Sequence, residues 1–166
     1  MRKLLNIVSI FCFLLMASCG NGEEKKDETF KLKGSNSTNS KSSNTENVKA
    51  SKRVDLVSKG IGPVKSIELE DEVDMTMAEV GANVFKQKCT ACHRVDKKFI
   101  GPPSVGILER RTPEWVMNMI LNPEEMLKKD PIAKALLIEF YNAPMINQNL
   151  THDEARAILE YYRTLK

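Results

Sequence analysis

The chain has 166 residues, of which 42% are hydrophobic, 28% are charged and 6% are aromatic, and its formal net charge is +3. This composition excludes a polytopic membrane protein, a collagen-like repeat and a wholly disordered chain. Lys and Arg outnumber Asp and Glu by only 25 to 22, which is too even to indicate a nucleic-acid-binding protein. The length suits one domain of ordinary size with an appendage.

The first twenty residues have the layout of a secretory signal peptide. Arg2 and Lys3 provide positive charge before an apolar run over residues 4–16, and small residues precede Cys19. The apolar run is short for a membrane span, which needs about 20 residues, so an uncleaved membrane anchor is the weaker alternative. The small residues before the cysteine resemble a bacterial lipobox. This resemblance implies that residues 1–18 are removed and that Cys19 carries lipid.

The segment after the signal peptide contains almost nothing to bury. Ser, Asn, Thr and Lys dominate its second half, and such a composition cannot offset the entropy lost on ordering. We therefore predict a lipidated N-terminus and flexible tether over residues 19–52, an extension over 53–75 and one domain over 76–166. We expect an exported protein that is lipid-anchored to a bacterial membrane and faces the periplasm.

Periodicity and capping signals predict helices and no strands in the domain. The start signals are Asp74 before an apolar helical face at 77–85, Thr112-Pro113, Asp130-Pro131 and the Thr151–Glu154 capping box. Asn122-Pro123 is expected to stop the second of these helices. Because no segment shows sustained alternation of period two, the sequence predicts an all-α domain with short helices and long loops.

The sequence Cys89-Thr90-Ala91-Cys92-His93 is the c-type haem attachment motif. Two cysteines at this spacing can each add to a vinyl group of one porphyrin, and the adjacent histidine can bind the iron. Three other interpretations of the motif stay open. A zinc site would need two more ligands, a thioredoxin-like redox pair would need a preceding strand, and a plain disulfide would leave the histidine unexplained.

The spacing of Gly81, Phe85 and the Cys89–His93 motif resembles the N-terminal helix and haem site of class I c-type cytochromes. The resemblance extends over residues 76–166 and implies a cytochrome c fold, in which short helices surround one covalent haem c with its iron. It also implies a one-electron carrier. In that family the glycine lets the first and last helices cross closely, and the aromatic side chain packs at the crossing.

The same resemblance implies further site residues. Gly101-Pro102 is similar to the family's Gly-Pro turn, so the carbonyl of Pro102 is expected to accept a hydrogen bond from His93. Arg110 occupies a position where the family often has an arginine against a haem propionate. Two weaker candidates for the same contact are Arg111 and Trp115.

Met145 is the expected second axial ligand among the eight methionines. It follows His93 by 52 residues and lies in a predicted loop just before the last helix, as the ligand methionine does in class I cytochromes. Met117, Met119 and Met126 are expected in or near a helix of the core, and His152 on the surface. Ligation by His93 and Met145 leaves no open coordination position, which argues against an enzyme. A haem enzyme or gas sensor with an open sixth position is the alternative.

Basic side chains concentrate around the haem motif. Residues 84–111 contain seven Lys and Arg against two acidic residues, whereas residues 66–80 contain six acidic and no basic residues. Such asymmetry can steer an acidic redox partner toward the haem edge. Residues 110–115 and 144–151 resemble small cytochromes found with bacterial nitrous oxide reductases. That enzyme is therefore the expected partner, with a terminal oxidase as the alternative.

Overall fold

The computed structural model describes residues 48–166 of the chain. The predicted signal peptide at residues 1–18, the lipid attachment at Cys19 and the tether as far as residue 47 lie outside this range. No helix within residues 48–166 is both long enough and apolar enough to cross a membrane.

Residues 48–166 form five α-helices and one short 3-10 helix. These elements are α1 (Met75–Lys88), the 3-10 helix (Ile107–Glu109), α2 (Pro113–Leu121), α3 (Pro123–Lys129), α4 (Pro131–Glu139) and α5 (His152–Thr164). The described range contains no β-strand, although Asp55 and Arg111 form one isolated parallel bridge. The predicted all-α fold is confirmed.

Four helices begin at polar side chains that accept hydrogen bonds from the first turn. The capping residues are Asp74 for α1, Thr112 for α2, Asp130 for α4 and Thr151 for α5. Each side-chain oxygen satisfies a backbone N–H that has no partner inside the helix. The capping box of Thr151 and Glu154 forms as the sequence predicted.

The helix α3 was not predicted. We expected Asn122-Pro123 only to end α2, and α2 does end at Leu121. However, Pro123 also occupies the first position of α3, where its missing N–H costs no hydrogen bond. Two acidic residues in the first turn of α3 and two lysines in its last turn complement the helix dipole.

The helices α1 and α5 cross at Gly81, where the backbones approach closely. A Cβ atom added to Gly81 would lie 1.9 Å from the carbonyl oxygen of Ala157, so no larger residue fits without displacing α5. Phe85 packs beside this crossing, with its ring centroid 5.5 Å from that of Tyr161 and 6.0 Å from that of Tyr162. The predicted close crossing is confirmed.

The hydrophobic core surrounds α2. Its buried members come from α2 to α5 and one residue of the N-terminal segment: Val64, Trp115, Val116, Met117, Ile120, Met126, Ile132, Ala133, Ala155, Ile158 and Leu159. Met117 and Met126 are both 0% exposed, in agreement with their predicted role in packing.

Residues 48–67, which we call the strap, contain no helix and lie along α2. The buried side chain of Asn118 in α2 donates hydrogen bonds to the carbonyls of Lys59 and Val64, each at 2.8 Å. Its oxygen accepts from the backbone N–H of Val64 at 2.9 Å. One buried polar side chain therefore binds the strap at two points.

Arg111 binds the beginning of the strap. Its guanidinium, in a residue only 1% exposed, donates to the carbonyl of Ala50 at 2.7 Å and to that of Arg53 at 2.5 Å. The hydroxyl of Ser51 donates to Glu139 at 2.5 Å. Residues 48–52, which we expected in the tether, therefore pack against the domain.

Candidate functional site

A mainly apolar cavity lies between the Cys89–His93 motif, α2, α4 and the loop that precedes α5. Its walls include Cys89, Cys92, His93, Pro102 and Met145. The structure thus brings five of the six predicted cofactor-binding residues to one cavity. Arg110, the sixth, does not line it.

The motif reaches the cavity because α1 ends in a tight turn. The N–H groups of Cys92 and His93 both donate to the carbonyl of Cys89, at 3.0 and 2.8 Å. This turn brings both sulfurs and the imidazole to one side of the chain. Cys89 is half-buried and Cys92 is exposed, so one thiol lies inside the cavity wall and the other at its edge.

The imidazole of His93 is oriented by the chain that follows it. Its Nδ1 atom lies 3.0 Å from the carbonyl oxygen of Pro102. Because a carbonyl oxygen can only accept, Nδ1 of the neutral ring carries the proton and Nε2 is left with a free lone pair. A nitrogen in that state can bind a metal.

Gly101 allows this close approach. A Cβ atom at Gly101 would lie 2.4 Å from Cε1 of His93, a distance that no packed carbon atoms tolerate. The backbone N–H of Gly101 donates to the carbonyl of Cys92 at 2.8 Å, which holds the loop against the motif. The Gly-Pro sequence therefore supplies both the space for the imidazole and its hydrogen-bond acceptor.

Met145 lines the cavity from the loop between α4 and α5, and its side chain is half-buried. Three loop residues have left-handed backbone conformations: Tyr141, Asn142 and Asn149. These turns lie on either side of the segment that carries Met145. A thioether on a loop can approach a bound group without interrupting a helix.

A second methionine, Met119, also lines the cavity. The sequence pattern assigned it to the core together with Met117 and Met126, because all three lie in or next to one helical region. The structure separates them, since the other two are fully buried away from the cavity whereas Met119 is half-buried on its wall. Met117 and Met119 lie on different faces of α2 because they are two positions apart, but only the packing of α2 shows which face lines the cavity.

The three candidates for binding a propionate have different surroundings. Arg110 donates to the carbonyl of Val105 at 3.0 Å and lies outside the cavity wall. Arg111 is occupied by the strap. Trp115 lines the cavity, and its indole Nε1 is buried without a hydrogen-bond partner in the structure. Of the three candidates, only Trp115 lies on the cavity wall.

The alternatives for the cysteine pair fit the structure less well. Burial, followed by the proximity of Cys92, raises the pKa of the Cys89 thiol to about 11, whereas a thiol oxidoreductase needs a lowered thiol pKa. Both cysteines are free, so they form no disulfide. In the part of the chain that the structure describes, no group of three His, Cys, Asp or Glu side chains could hold a zinc ion.

Comparison with known proteins decides the family. The family model described as cytochrome c matches residues 78–166, which is more than half of the chain. The chain belongs to the cytochrome c family. Cytochromes of this family carry covalently bound haem c with its iron, and Cys89 and Cys92 fit the attachment of that haem. A comparison with curated protein sequences finds no match.

Solved structures of cytochrome c resemble this protein. Cytochrome c from Rhodothermus marinus is 41% identical, with a TM-score of 0.61, over 63% of this chain and 89% of that chain. An engineered cytochrome c from the same organism has 41% identity and a TM-score of 0.60 over 63% and 90% of the two chains. An engineered form bound to a carbene intermediate has 41% identity and a TM-score of 0.58 over 63% and 89%.

The residues around the cavity fit a haem. The walls are mainly apolar, as a porphyrin requires, and they include two free cysteines, Cys89 and Cys92. Gly101 leaves room for the imidazole of His93, and the Nε2 lone pair of that ring is available for the iron.

Proposed function

We propose that this cytochrome c is a one-electron carrier, not an enzyme, and that His93 and Met145 are the two axial ligands of its iron. The observation that carries the proposal is the hydrogen bond between His93 and Pro102 in a cavity that Met145 also lines. Haem c, when bound, supplies an iron that gains and loses one electron.

The residues of the chain have distinct tasks in this proposal. The carbonyl of Pro102 keeps the proton on Nδ1 of His93 and makes the ring a stronger base. Met145 contributes a soft thioether, which raises the reduction potential above that of a site with two imidazoles. The apolar walls keep water away from the site and favour its less charged, reduced form.

An absorption spectrum of the protein matured by a c-type haem assembly system tests the ligation. Sharp bands of low-spin haem in the reduced protein, with a weak far-red band in the oxidised protein, are expected for ligation by histidine and methionine. A high-spin spectrum would contradict the proposed ligand pair. Absence of covalent haem would contradict the assignment of the cofactor.

The expected partner is an acidic redox protein. Lys86 and Lys88 at the end of α1 and Lys97 and Lys98 after the motif are exposed near Cys92, which is itself exposed at the cavity edge. These charges support docking of an acidic surface there, at a rate that falls as salt screens the attraction. Nitrous oxide reductase is the proposed acceptor, with a terminal oxidase as the alternative. Deleting this protein should abolish electron delivery to nitrous oxide reductase, and unchanged delivery would exclude that partner.

The proposed location is the periplasmic face of a bacterial membrane, through lipid on Cys19. The short apolar run and the small residues before this cysteine support the proposal. Mass spectrometry of the mature protein should find diacylglyceryl on Cys19 as the first residue. A mature chain that begins elsewhere, or an unmodified cysteine, would contradict it.

A haem enzyme or gas sensor with an open sixth position is the second candidate. It is favoured by one observation, which is that the segment 144–150 makes no backbone hydrogen bond to another element. The engineered relative bound to a carbene intermediate shows that a ligand binds in that protein. Binding of carbon monoxide to the reduced protein distinguishes the two functions, because a firmly bound Met145 prevents it and an open position permits it.

A further inference from the structure

The strap presents three apolar side chains to solvent in one short turn. Val54 is 61% exposed, Leu56 is 55% exposed and Val57 is 86% exposed. Exposed apolar residues that stand alone are common, but three within four positions form a patch that suits a binding surface. We call residues 54–57 the strap tip.

The strap tip is held firmly by hydrogen bonds. The carboxylate of Asp55 accepts from the N–H groups of Val57 and Ser58, each at 2.9 Å. The N–H of Asp55 donates to the carbonyl of Arg110 at 2.9 Å, and the carbonyl of Ser58 accepts from the hydroxyl of Thr112 at 2.6 Å. Because Arg111 also donates to the carbonyl of Arg53, the turn is bonded to the domain on both sides of its exposed side chains, so their exposure is part of the fold.

The strap itself carries more basic than acidic side chains. The strap contains five basic residues and one acidic residue, which are Lys49, Lys52, Arg53, Lys59, Lys65 and Asp55. Lys59 is paired with Glu114 at 3.1 Å, and Glu139 accepts hydrogen bonds from Ser51, so these charges are partly balanced. Lys49 and Lys52 are exposed, whereas the charge of Asp55 is directed at backbone N–H groups of the turn. Apolar side chains among lysines form the pattern of segments that bind the interface of anionic membranes.

The strap tip is a different surface from the edge of the haem cavity. No residue between 48 and 70 lines that cavity. A contact through the tip therefore leaves Cys92 and the basic residues near it accessible to a redox partner. Val57 lies 38 positions after Cys19, the predicted site of lipid attachment. The anchor would keep the tip close to the bilayer.

We propose that the strap tip inserts its apolar side chains into the interface of an anionic lipid bilayer. Lys49 and Lys52 of the strap contact the lipid phosphates, and the domain lies on the membrane in one orientation. This inference rests on the lipid anchor proposed for Cys19, which raises the local concentration of the tip, and is independent of the ligands of the iron.

Site-directed spin labelling of the full, lipidated and haem-loaded protein tests the proposal. A label at Val57→Cys is compared with one at Tyr141→Cys, because both side chains are 86% exposed and Tyr141 lies in the loop after α4. Haem attachment and lipidation leave no other thiol free in the mature protein. The haem spectrum of each labelled protein verifies that it is folded.

When the protein binds vesicles of phosphatidylcholine and phosphatidylglycerol, the label at residue 57 should collide with oxygen several-fold more often than it does in the protein without vesicles, because oxygen is concentrated in the bilayer. The same label should collide several-fold less often with a water-soluble nickel complex. Both collision rates of the label at residue 141 should change little. Replacing the anionic lipid with phosphatidylcholine should weaken the protection at residue 57.

Three results would overturn the proposal, and they distinguish its failure from that of the anchor. A protein that stays on the vesicles with the residue 57 label in water retains the lipid anchor but does not insert the tip. A protein that does not stay on the vesicles has neither a lipid anchor nor an inserted tip. Protection that appears only when membrane proteins are added would assign the tip to a protein partner instead.

Discussion

The Nδ1 atom of His93 and the carbonyl oxygen of Pro102 are 3.0 Å apart, and this pair determines which imidazole nitrogen faces the haem cavity. The relationship depends on Gly101, which leaves no side chain between the ring and the turn. Attachment of the porphyrin and orientation of its histidine are thus encoded in two short segments, residues 89–93 and 101–102, that fold against each other.

Gly101→Ala should disturb the histidine specifically. The added Cβ atom would overlap the imidazole, because it would lie 2.4 Å from Cε1 of His93. We expect a lower reduction potential or a high-spin fraction in the haem-loaded protein, measured by redox titration with absorption spectroscopy. Lys97→Ala, an exposed position in the same loop, is the control and should leave both unchanged. An unaltered spectrum in Gly101→Ala would show that the ring does not need this space.

Gly81→Ala should destabilise the crossing of α1 and α5. Alanine is the better helix former by about 1 kcal/mol, but its Cβ would lie 1.9 Å from the carbonyl of Ala157. Such overlap in a packed interface costs about 1–3 kcal/mol, so the net free energy of unfolding should fall. Unfolding of the haem-loaded protein in guanidinium measures this free energy. Asn83→Ala, on the exposed face of α1, is the control. Equal or greater stability in Gly81→Ala would contradict the close crossing.

Arg111→Met should release the strap from the domain. The guanidinium is 1% exposed and donates to the carbonyls of Ala50 and Arg53, which would be left without their donor. Loss of buried hydrogen bonds to a charged group predicts a fall of about 2–4 kcal/mol in the free energy of unfolding. Backbone amides of the strap should exchange hydrogen faster in Arg111→Met than in the natural protein. Lys52→Met, an exposed substitution in the same segment, should leave these exchange rates unchanged. Identical exchange in the two variants would argue against this anchoring role.

Asp55 should make the stability of the strap depend on acid. Hydrogen bonds from the backbone N–H groups of Ser58 and Val57 lower the pKa of Asp55 below its ordinary value. Because the folded-state pKa is lowered, the stabilisation is fully present above the unfolded pKa, about pH 4, and is lost as the pH falls through the folded pKa.

The difference in unfolding free energy between the natural protein and Asp55→Ala should therefore be constant near neutral pH and shrink below about pH 4. Denaturant unfolding at a series of pH values measures this difference. Val57→Ala, an exposed substitution in the same turn that removes no ionisable group, is the control. A difference that persists unchanged in strong acid would mean that ionisation of Asp55 contributes nothing.

The parts of the fold that depend on local patterns were predictable from the sequence. Thr112, Asp130 and Thr151 each mark a helix start with a side chain that can cap only its own first turn. Gly81 and Phe85 mark the crossing of α1 and α5, because their spacing resembles that of class I cytochromes. The helix α3 was missed because Pro123 follows the end of α2 and is also the first residue of α3. We interpreted this proline only as a helix stop and did not consider it as a helix start.

Features that depend on long-range packing were not predictable. Arg111 carries a full charge and was a weaker candidate than Arg110 for a propionate contact, yet it is buried against carbonyls of a segment about sixty residues away. Met119 and Met117 lie two positions apart and therefore on different faces of α2, but only the neighbouring elements decide that the face of Met119 lines the cavity. The burial of Ala50 was also not predictable, because the residues next to it in the sequence form no pattern that indicates a buried position.

The role of Met145 is the central claim, and the presence of Met119 in the same cavity gives it a matched control. Absorption spectra of haem-loaded Met145→Ala and Met119→Ala, each oxidised and reduced, provide the most direct test. The account predicts that Met145→Ala loses the weak far-red band, becomes high-spin and binds carbon monoxide when reduced, whereas Met119→Ala keeps the spectrum of the natural protein. An unchanged spectrum in Met145→Ala, or loss of the far-red band in Met119→Ala, would contradict it.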